Sequence, residues 1–181
     1  YQLEIAMIDQ ATQERVPVYA ADGSQLTTNF VDRIKVIPSV YAIPTIEHPL
    51  QHHVGDHIKL IGYDLDRSVL KPGETVRVRL YWQAVQPPPA DYTVFAQVRD
   101  AANRIVAQKD SPPQGGAYPT SFWDAAEVVI DDRVIEIPAS AGAGRYPIKV
   151  GLYLPPDGPR LPIDGNEAIT EITLPGELEI Q

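Results

Sequence analysis

From Thr75 to Trp82 the chain alternates strictly. Val76, Val78, Leu80 and Trp82 fall on one side, and Thr75, Arg77, Arg79 and Tyr81 on the other. Tyr92–Arg99 repeats the pattern, with Tyr92, Val94, Ala96 and Val98 opposed to Thr93, Phe95, Gln97 and Arg99. A period of two marks a half-buried antiparallel strand, because successive side chains of an extended backbone leave on opposite faces. An alternating strand of this kind needs a second layer to cover its apolar side. Pro87-Pro88-Pro89-Ala90 lies between the two runs. Its prolines cannot donate ladder hydrogen bonds, so it reads as a hairpin loop. That reading makes the two strands neighbours in one sheet.

Further strands are expected over His57–Leu65, Arg104–Lys109, Glu127–Ile137, Tyr146–Leu154, Arg160–Ile163, Ile169–Ile172 and Glu177–Ile180. Turn chemistry separates them, as in Lys71-Pro72-Gly73, Pro112-Pro113-Gln114-Gly115-Gly116 and Pro155-Pro156-Asp157-Gly158. The stretch Tyr118–Ala126 reads as one helical turn or an irregular crossover. With 18 Pro and 12 Gly there is little room for long helices. The expectation is an all-β, two-sheet antiparallel sandwich, Ig-like or jelly-roll-like, with an extra N-terminal hairpin segment.

The start of the chain repeats its end. Tyr1-Gln2-Leu3-Glu4-Ile5-Ala6-Met7 aligns with Tyr146-Pro147-Ile148-Lys149-Val150-Gly151-Leu152, an offset of 145. Arg15-Val16-Pro17-Val18 aligns with Arg160-Leu161-Pro162-Ile163 at the same offset, and Arg33-Ile34-Lys35-Val36 with Glu177-Leu178-Glu179-Ile180 at 144. A fixed-offset match of apolar pattern signals tandem copies of one unit. Residues 1–37 are therefore expected to be the closing strands of a preceding copy, or a docked β-extension, with strands at Leu3–Ile8, Arg15–Tyr19 and Leu26–Val36. Residues 38–54, rich in Pro and His, read as a linker, and 55–181 as the sandwich. The chain is expected to be part of a larger polypeptide. An isolated hairpin is marginal in water, so the N-terminal strands are expected to dock on the sandwich or to pair with another chain.

Composition excludes several function classes. The formal net charge of −9 disfavours a nucleic-acid partner, whose phosphates need a basic surface. No apolar run approaches the ~20 residues of a spanning helix, so this segment is not expected to insert in a membrane. Absence of Cys removes disulfides, thiolate metal sites and Cys nucleophiles. No nucleophile elbow, P-loop or dinucleotide glycine pattern is present, and no cofactor is expected. Gly142-Ala143-Gly144 reads as a tight turn.

A family resemblance follows from segments in order. They are Gly62-Tyr63-Asp64-Leu65, Lys71-Pro72-Gly73, Leu80-Tyr81-Trp82-Gln83-Ala84, Asp91-Tyr92-Thr93-Val94-Phe95, Pro112–Gly116, Tyr118-Pro119-Thr120-Ser121-Phe122-Trp123 and Tyr146–Ile163. This order, over about residues 55–165, resembles a β-sandwich domain on the C-terminal, extracytoplasmic side of large bacterial membrane proteins. Those proteins have a glycosyltransferase-like membrane part of the protein-mannosyltransferase and arabinosyltransferase type. The resemblance implies an extracytoplasmic, envelope-tethered accessory role beside neighbouring domains of the same polypeptide. It brings no catalytic residue with it.

Four groups of side chains are candidates for chemistry. Arg77, Arg79 and Tyr81, set beside Phe95, Gln97 and Arg99, would form an aromatic and hydrogen-bonding face suited to a sugar, with arginines for a uronate or phosphate. The alternative is a face covered by other strands. Tyr118 and Trp123, with Phe122, form a second aromatic group, either a cap on the open end of the sandwich or a ligand platform. Trp82 shares the inward parity and is assigned to the core. His48, His52, His53 and His57, with Glu47 and Asp56 nearby, offer imidazole and carboxylate ligands for zinc or nickel; the alternative is a solvated polar linker. Asp64, Asp66, Asp124, Asp131 and Asp132 are the candidate acids. Glycoside hydrolysis needs two carboxyl groups about 5–9.5 Å apart, whereas Asp131 and Asp132, as sequence neighbours, should point to opposite faces. The function expected on these grounds is a non-catalytic spacer or protein-interaction module, with a carbohydrate-binding module as the alternative.

Overall fold

The two alternating strands that the sequence sets side by side lie in opposite sheets. In the computed structural model, which describes residues 2–4, 9–14, 16–17, 30–33 and 41–181, strand β6 (Thr75–Ala84) belongs to one layer and β7 (Thr93–Arg99) to the other. Pro87-Pro88-Pro89-Ala90 is thus a crossover and not a hairpin loop. Its polar groups are met locally. His57 Nδ1 lies 2.9 Å from the Pro87 carbonyl, Thr120 Oγ1 donates to Ala90 O at 2.6 Å, and the Tyr92 amide donates to Thr120 Oγ1 at 2.8 Å. The crossover lets the apolar sides of both strands face each other, burying Val76, Val78, Leu80 and Trp82 against the layer that holds Val94, Ala96 and Val98.

The chain divides into two units, Tyr1–Val40 and Tyr41–Gln181. In the second unit, β3 (His48–Val54), β4 (Ile58–Leu65), β6 and β9 (Val128–Glu136) form a four-stranded sheet in the order β3-β4-β6-β9. The facing sheet has the order β5-β11-β10-β7-β8, built from β5 (Val69–Leu70), β7, β8 (Ile105–Ser111), β10 (Gly144–Tyr153) and β11 (Ile172–Ile180). All pairings are antiparallel except β11 with β5. The chain leaves β4, switches sheets, and forms β5 beside the last strand. With β7, β10 and β11 together opposite β6 and β9, the connectivity is Ig-like and not jelly-roll.

Three boundaries differ from expectation. His48–Val54, read as linker, is an edge strand of the first sheet. Ile169–Ile172 and Glu177–Ile180 are not two strands; one strand, β11, begins at Ile172 and carries Pro175-Gly176 inside it, with the register slipping opposite Pro147–Lys149. Arg160–Ile163 makes only isolated bridges, Ile163 with Asn166, Tyr153 with Arg160 and Val54 with Ile163. The last of these ties β3 to this segment. A turn at Pro113–Gly116, with Gln114 and Gly115 at positive φ, and a 3₁₀ turn at Thr120–Phe122 fill the β8–β9 connection. No helix among the described residues is long and apolar enough to cross a membrane.

In the first unit, β1 (Gln2–Glu4) pairs antiparallel with β2 (Phe30–Arg33). Of the expected strand Arg15–Tyr19 only Val16 and Pro17 are described, and they are not in a strand; its other residues, the remaining parts of Leu3–Ile8 and Leu26–Val36, and residues 38–40 of the linker lie outside the described residues. What is described reproduces the end of the chain. Gln2 faces Arg33 as Pro147 faces Glu177, the partners related by 145 on the first strand and 144 on the second. A register slip follows in both, after the further pair Leu3–Asp32 in β1–β2 and between Pro147 and Lys149 in β10–β11. The slip has the same sense, with one extra residue on β2 and two on β11, since Glu4 meets Phe30 and Lys149 meets Thr173. The turn that follows also corresponds. The Asp9 amide donates to Glu14 O at 2.9 Å and that of Gln13 to Asp9 O at 2.8 Å; at an offset of 145, Leu154 N donates to Pro159 O at 3.2 Å and Gly158 N to Leu154 O at 2.7 Å.

Candidate functional site

The expected sugar-binding face does not form, because its two halves sit on strands of different sheets. On β6, Arg77 and Arg79 keep the outward parity and remain accessible. Tyr81 is 2% exposed and donates from its hydroxyl to Asp64 Oδ2 at 2.5 Å. Burial, followed by that contact with a carboxylate, raises the tyrosine pKa. Arg79 grips Asp132 of β9 with two hydrogen bonds, Nε to Oδ1 at 2.7 Å and Nη2 to Oδ2 at 3.0 Å. That grip lowers the Asp132 pKa against the opposing effect of partial burial, and it raises that of Arg79. The cleft here, about 230 Å³, is lined by Asp64, Leu65, Asp66, Arg77 and Arg79. It is smaller than the usual range of small-molecule pockets, and no aromatic ring lines it.

On β7, Phe95 is 1% exposed and Gln97 is 3% exposed, so neither is a surface residue. Phe95 lies across from Gly151 of β10. A Cβ at Gly151 would come within 2.6 Å of Phe95 Cζ and 3.1 Å of the Thr170 carbonyl, so the glycine is what admits the ring. Arg160 closes the stack from outside, its guanidinium 4.1 Å from the ring centroid, a cation–π geometry. Around it, Glu171 accepts from Lys149 Nζ at 2.5 Å and from Arg160 Nη1 at 3.0 Å, with Arg99 Nη2 at 3.4 Å. Gln97 Oε1 accepts from Arg99 at 2.5 Å, and Gln97 Nε2 donates to Gln108 Oε1 at 3.2 Å. Burial pushes the Glu171 carboxyl up, but Lys149, Arg99 and Arg160 together bring it below its ordinary value. The arginine, glutamine and aromatic side chains assigned to a ligand are engaged with the protein itself.

Trp123 is 1% exposed and belongs to the core, with Nε1 donating to Tyr118 O at 3.3 Å. It closes the sandwich and offers no platform. Tyr118 is half-buried and donates to Glu127 Oε1 at 2.8 Å, while Glu127 Oε2 accepts from the Asp124 amide at 2.8 Å. Asp124 in turn accepts from the Tyr41 hydroxyl at 2.9 Å.

The four histidines are held apart. His48 stacks on Tyr63, with ring centroids 4.8 Å apart and planes at 21°. His52 Nδ1 lies 2.8 Å from Asp164 Oδ2, a contact that lowers the aspartate pKa, and the His53 amide donates to Asp164 Oδ1 at 2.8 Å. His57 meets the Pro87 carbonyl. No group of three metal-capable side chains occurs among the described residues. Successive residues of an extended strand project to opposite faces, which separates His52 from His53, and the β3–β4 turn carries His57 away from His48.

The same alternation divides Asp131 from Asp132. Asp132 is on the outer face with Arg79, and Asp131 is inside with Arg133. Arg133 Nε donates to Asp131 Oδ2 at 2.8 Å, its Nη1 reaches Ser111 O at 2.9 Å and Ser111 Oγ, and the Gln114 amide donates to Asp131 Oδ1 at 2.9 Å. Burial raises the Asp131 pKa, with Arg133 and the Gln114 amide opposing it. The two neighbouring carboxylates cannot face one sugar bond. The Asp131–Arg133 pair instead ties β9 to the end of β8 and the turn that follows it.

No family model and no curated protein matches this sequence.

Lys149, Arg160, Glu171 and Arg133 were not singled out from the sequence. For Arg133 the signal was present: it shares the inward parity of Val129 and Ile135 on β9. Lys149 is the outward residue between Ile148 and Val150. Arg160 and Glu171 come from irregular chain, where no period points to them.

Proposed function

We propose that the chain is a non-catalytic, extracytoplasmic accessory module of a larger envelope protein, built from tandem copies of one Ig-like sandwich and acting as a spacer or protein-interaction unit. One observation carries this reading: the β1–β2 ribbon and its following turn match β10–β11 in the Gln2–Arg33 and Pro147–Glu177 pairing, in the sense of the register slip and in the turn hydrogen bonds. Repeating units that contact their neighbours suit a spacer. The burial of Tyr81, Phe95 and Trp123 argues in the same direction, since a carbohydrate platform needs such rings accessible. The glycosyltransferase-like, membrane-anchored parent rests on the resemblance of residues 55–165 alone.

Calorimetric titration of the whole chain with envelope polysaccharides tests the reading. The spacer predicts no saturable heat. Saturable binding that is lost on changing Arg77 or Arg79 would replace the spacer with a glycan-binding module.

A further inference from the structure

At one end of the sandwich, the β3–β4 turn, the Pro87–Tyr92 crossover and the segment after β10 enclose a cleft of about 310 Å³. Short contacts hold these connections together. The Gly55 amide donates to Pro162 O at 2.8 Å, and the Val85 amide donates to His57 O at 2.7 Å. Gly55 has φ 59°, and a Cβ there would stand 3.3 Å from Leu161 Cδ1. The turn is thus pressed against the segment that faces it. The volume is at the lower limit of ligand pockets, which suits a small molecule or a single side chain and not an oligosaccharide.

The lining divides by chemistry. Pro89, Tyr92, Leu161 and Pro162 supply apolar and aromatic wall. Tyr92 and Leu161 also pack against the core, which fixes them. Besides the Tyr92 hydroxyl, the polar side chains are those of Asp56, His57 and Glu167. Among the described residues, neither carboxylate has a hydrogen-bond or ion-pair partner. Elsewhere the chain answers its own acids, Asp131 with Arg133, Asp132 with Arg79 and Glu171 with Lys149. His57 Nδ1 lies 2.9 Å from the Pro87 carbonyl, which can only accept, so Nδ1 carries the proton. In the neutral imidazole Nε2 is then an acceptor as well. No lysine, arginine or side-chain amide is among the lining residues. Two carboxylates and an acceptor beside an aromatic ring call for a ligand that donates and is positive.

We propose that this cleft binds a primary ammonium group on an apolar stem, the head and chain that a lysine side chain and a free alkylamine share. Asp56 and Glu167 balance the charge and, with His57 Nε2, supply acceptors for its N–H donors. Pro89, Tyr92 and Leu161 receive the stem, whose methylene groups leave water there. The inference does not depend on the spacer reading.

The test is titration of the isotopically labelled chain with n-butylammonium at about pH 8, above the ordinary histidine value of about 6.5. Saturable shifts should appear at the amides of Gly55, Asp56, His57, Tyr92 and Leu161, with a dissociation constant on the order of millimolar. Neutral n-butanol should bind about 5-fold more weakly or less. Asp56→Asn combined with Glu167→Gln should weaken amine binding by about the same factor. Both positions are exposed, so the fold is kept. A charge-matched control, Glu136→Gln with Asp157→Asn, changes exposed acids outside the cleft and should bind as the parent does. Nα-acetyl-lysine methylamide separates the sources. Tighter binding than n-butylammonium identifies a lysine of a protein partner, and equal or weaker binding a free amine. The proposal is overturned by absence of saturable shifts at these amides, by equal affinity for n-butanol, or by full affinity in the cleft variant. A loss in the control pair as large as in the cleft pair would overturn it too.

Discussion

Arg133 closes on Asp131 inside the sandwich, two positions along the same strand, with side chains only 2% and 1% exposed. Removing one member leaves a buried charge without its counter-ion, which costs about 3–5 kcal/mol. Asp131→Ala and Arg133→Ala should each lower stability by about that amount in denaturant unfolding. The pair Asp131→Leu with Arg133→Met should lose much less than the sum, because no charge is then stranded. Additive losses would show that the two side chains do not act as a unit.

Gly151 is fixed by the ring above it. Gly151→Ala places a methyl into Phe95 and should destabilise the domain by about 1–3 kcal/mol, the usual range for overpacking. Phe95→Leu in the same chain should recover part of that loss. An unchanged thermal midpoint in Gly151→Ala would contradict the packing of this face.

Acid should weaken the domain in a defined sense. The Glu171 carboxyl lies below its ordinary value in the folded protein, its burial outweighed by Lys149, Arg99 and Arg160. A depressed folded pKa contributes stability that is fully present above the unfolded value of about 4.3 and is lost as pH falls through the folded value. The stability of the Glu171→Gln variant should therefore fall less steeply below about pH 4.3 than that of the parent. Unfolding midpoints measured from pH 6 down to about pH 2 would decide it; parallel curves would remove Glu171 from the acid response.

The period of two identified most strands of the sandwich and the inward row Val76, Val78, Leu80 and Trp82, because burial of one face is written directly in the spacing of side chains. It could not say which sheet a strand joins. The Pro87–Ala90 connector fits a hairpin or a crossover equally well, and the decision came from contacts with His57 and Thr120 that are distant in sequence. Outward parity also failed to predict exposure at Phe95 and Gln97. The Leu154–Glu171 segment brings Arg160 and Glu171 over that face, and irregular chain leaves no period to read. The histidines looked like a cluster because they are close in sequence; strand geometry disperses them. The internal repeat was the most informative signal, since it compares the chain with itself and needs no knowledge of tertiary contacts.

The tandem account stands or falls on the register of β1 against β2. Cross-strand nuclear Overhauser effects on the isotopically labelled chain test it most directly. The account predicts contacts of Gln2 with Arg33 and Leu3 with Asp32, followed by a one-residue slip that brings Glu4 to Phe30, beside the equivalent Pro147–Glu177 contact and slip in β10–β11. A continuous register without the slip, or pairing of residues 2–4 with any other segment, would contradict it.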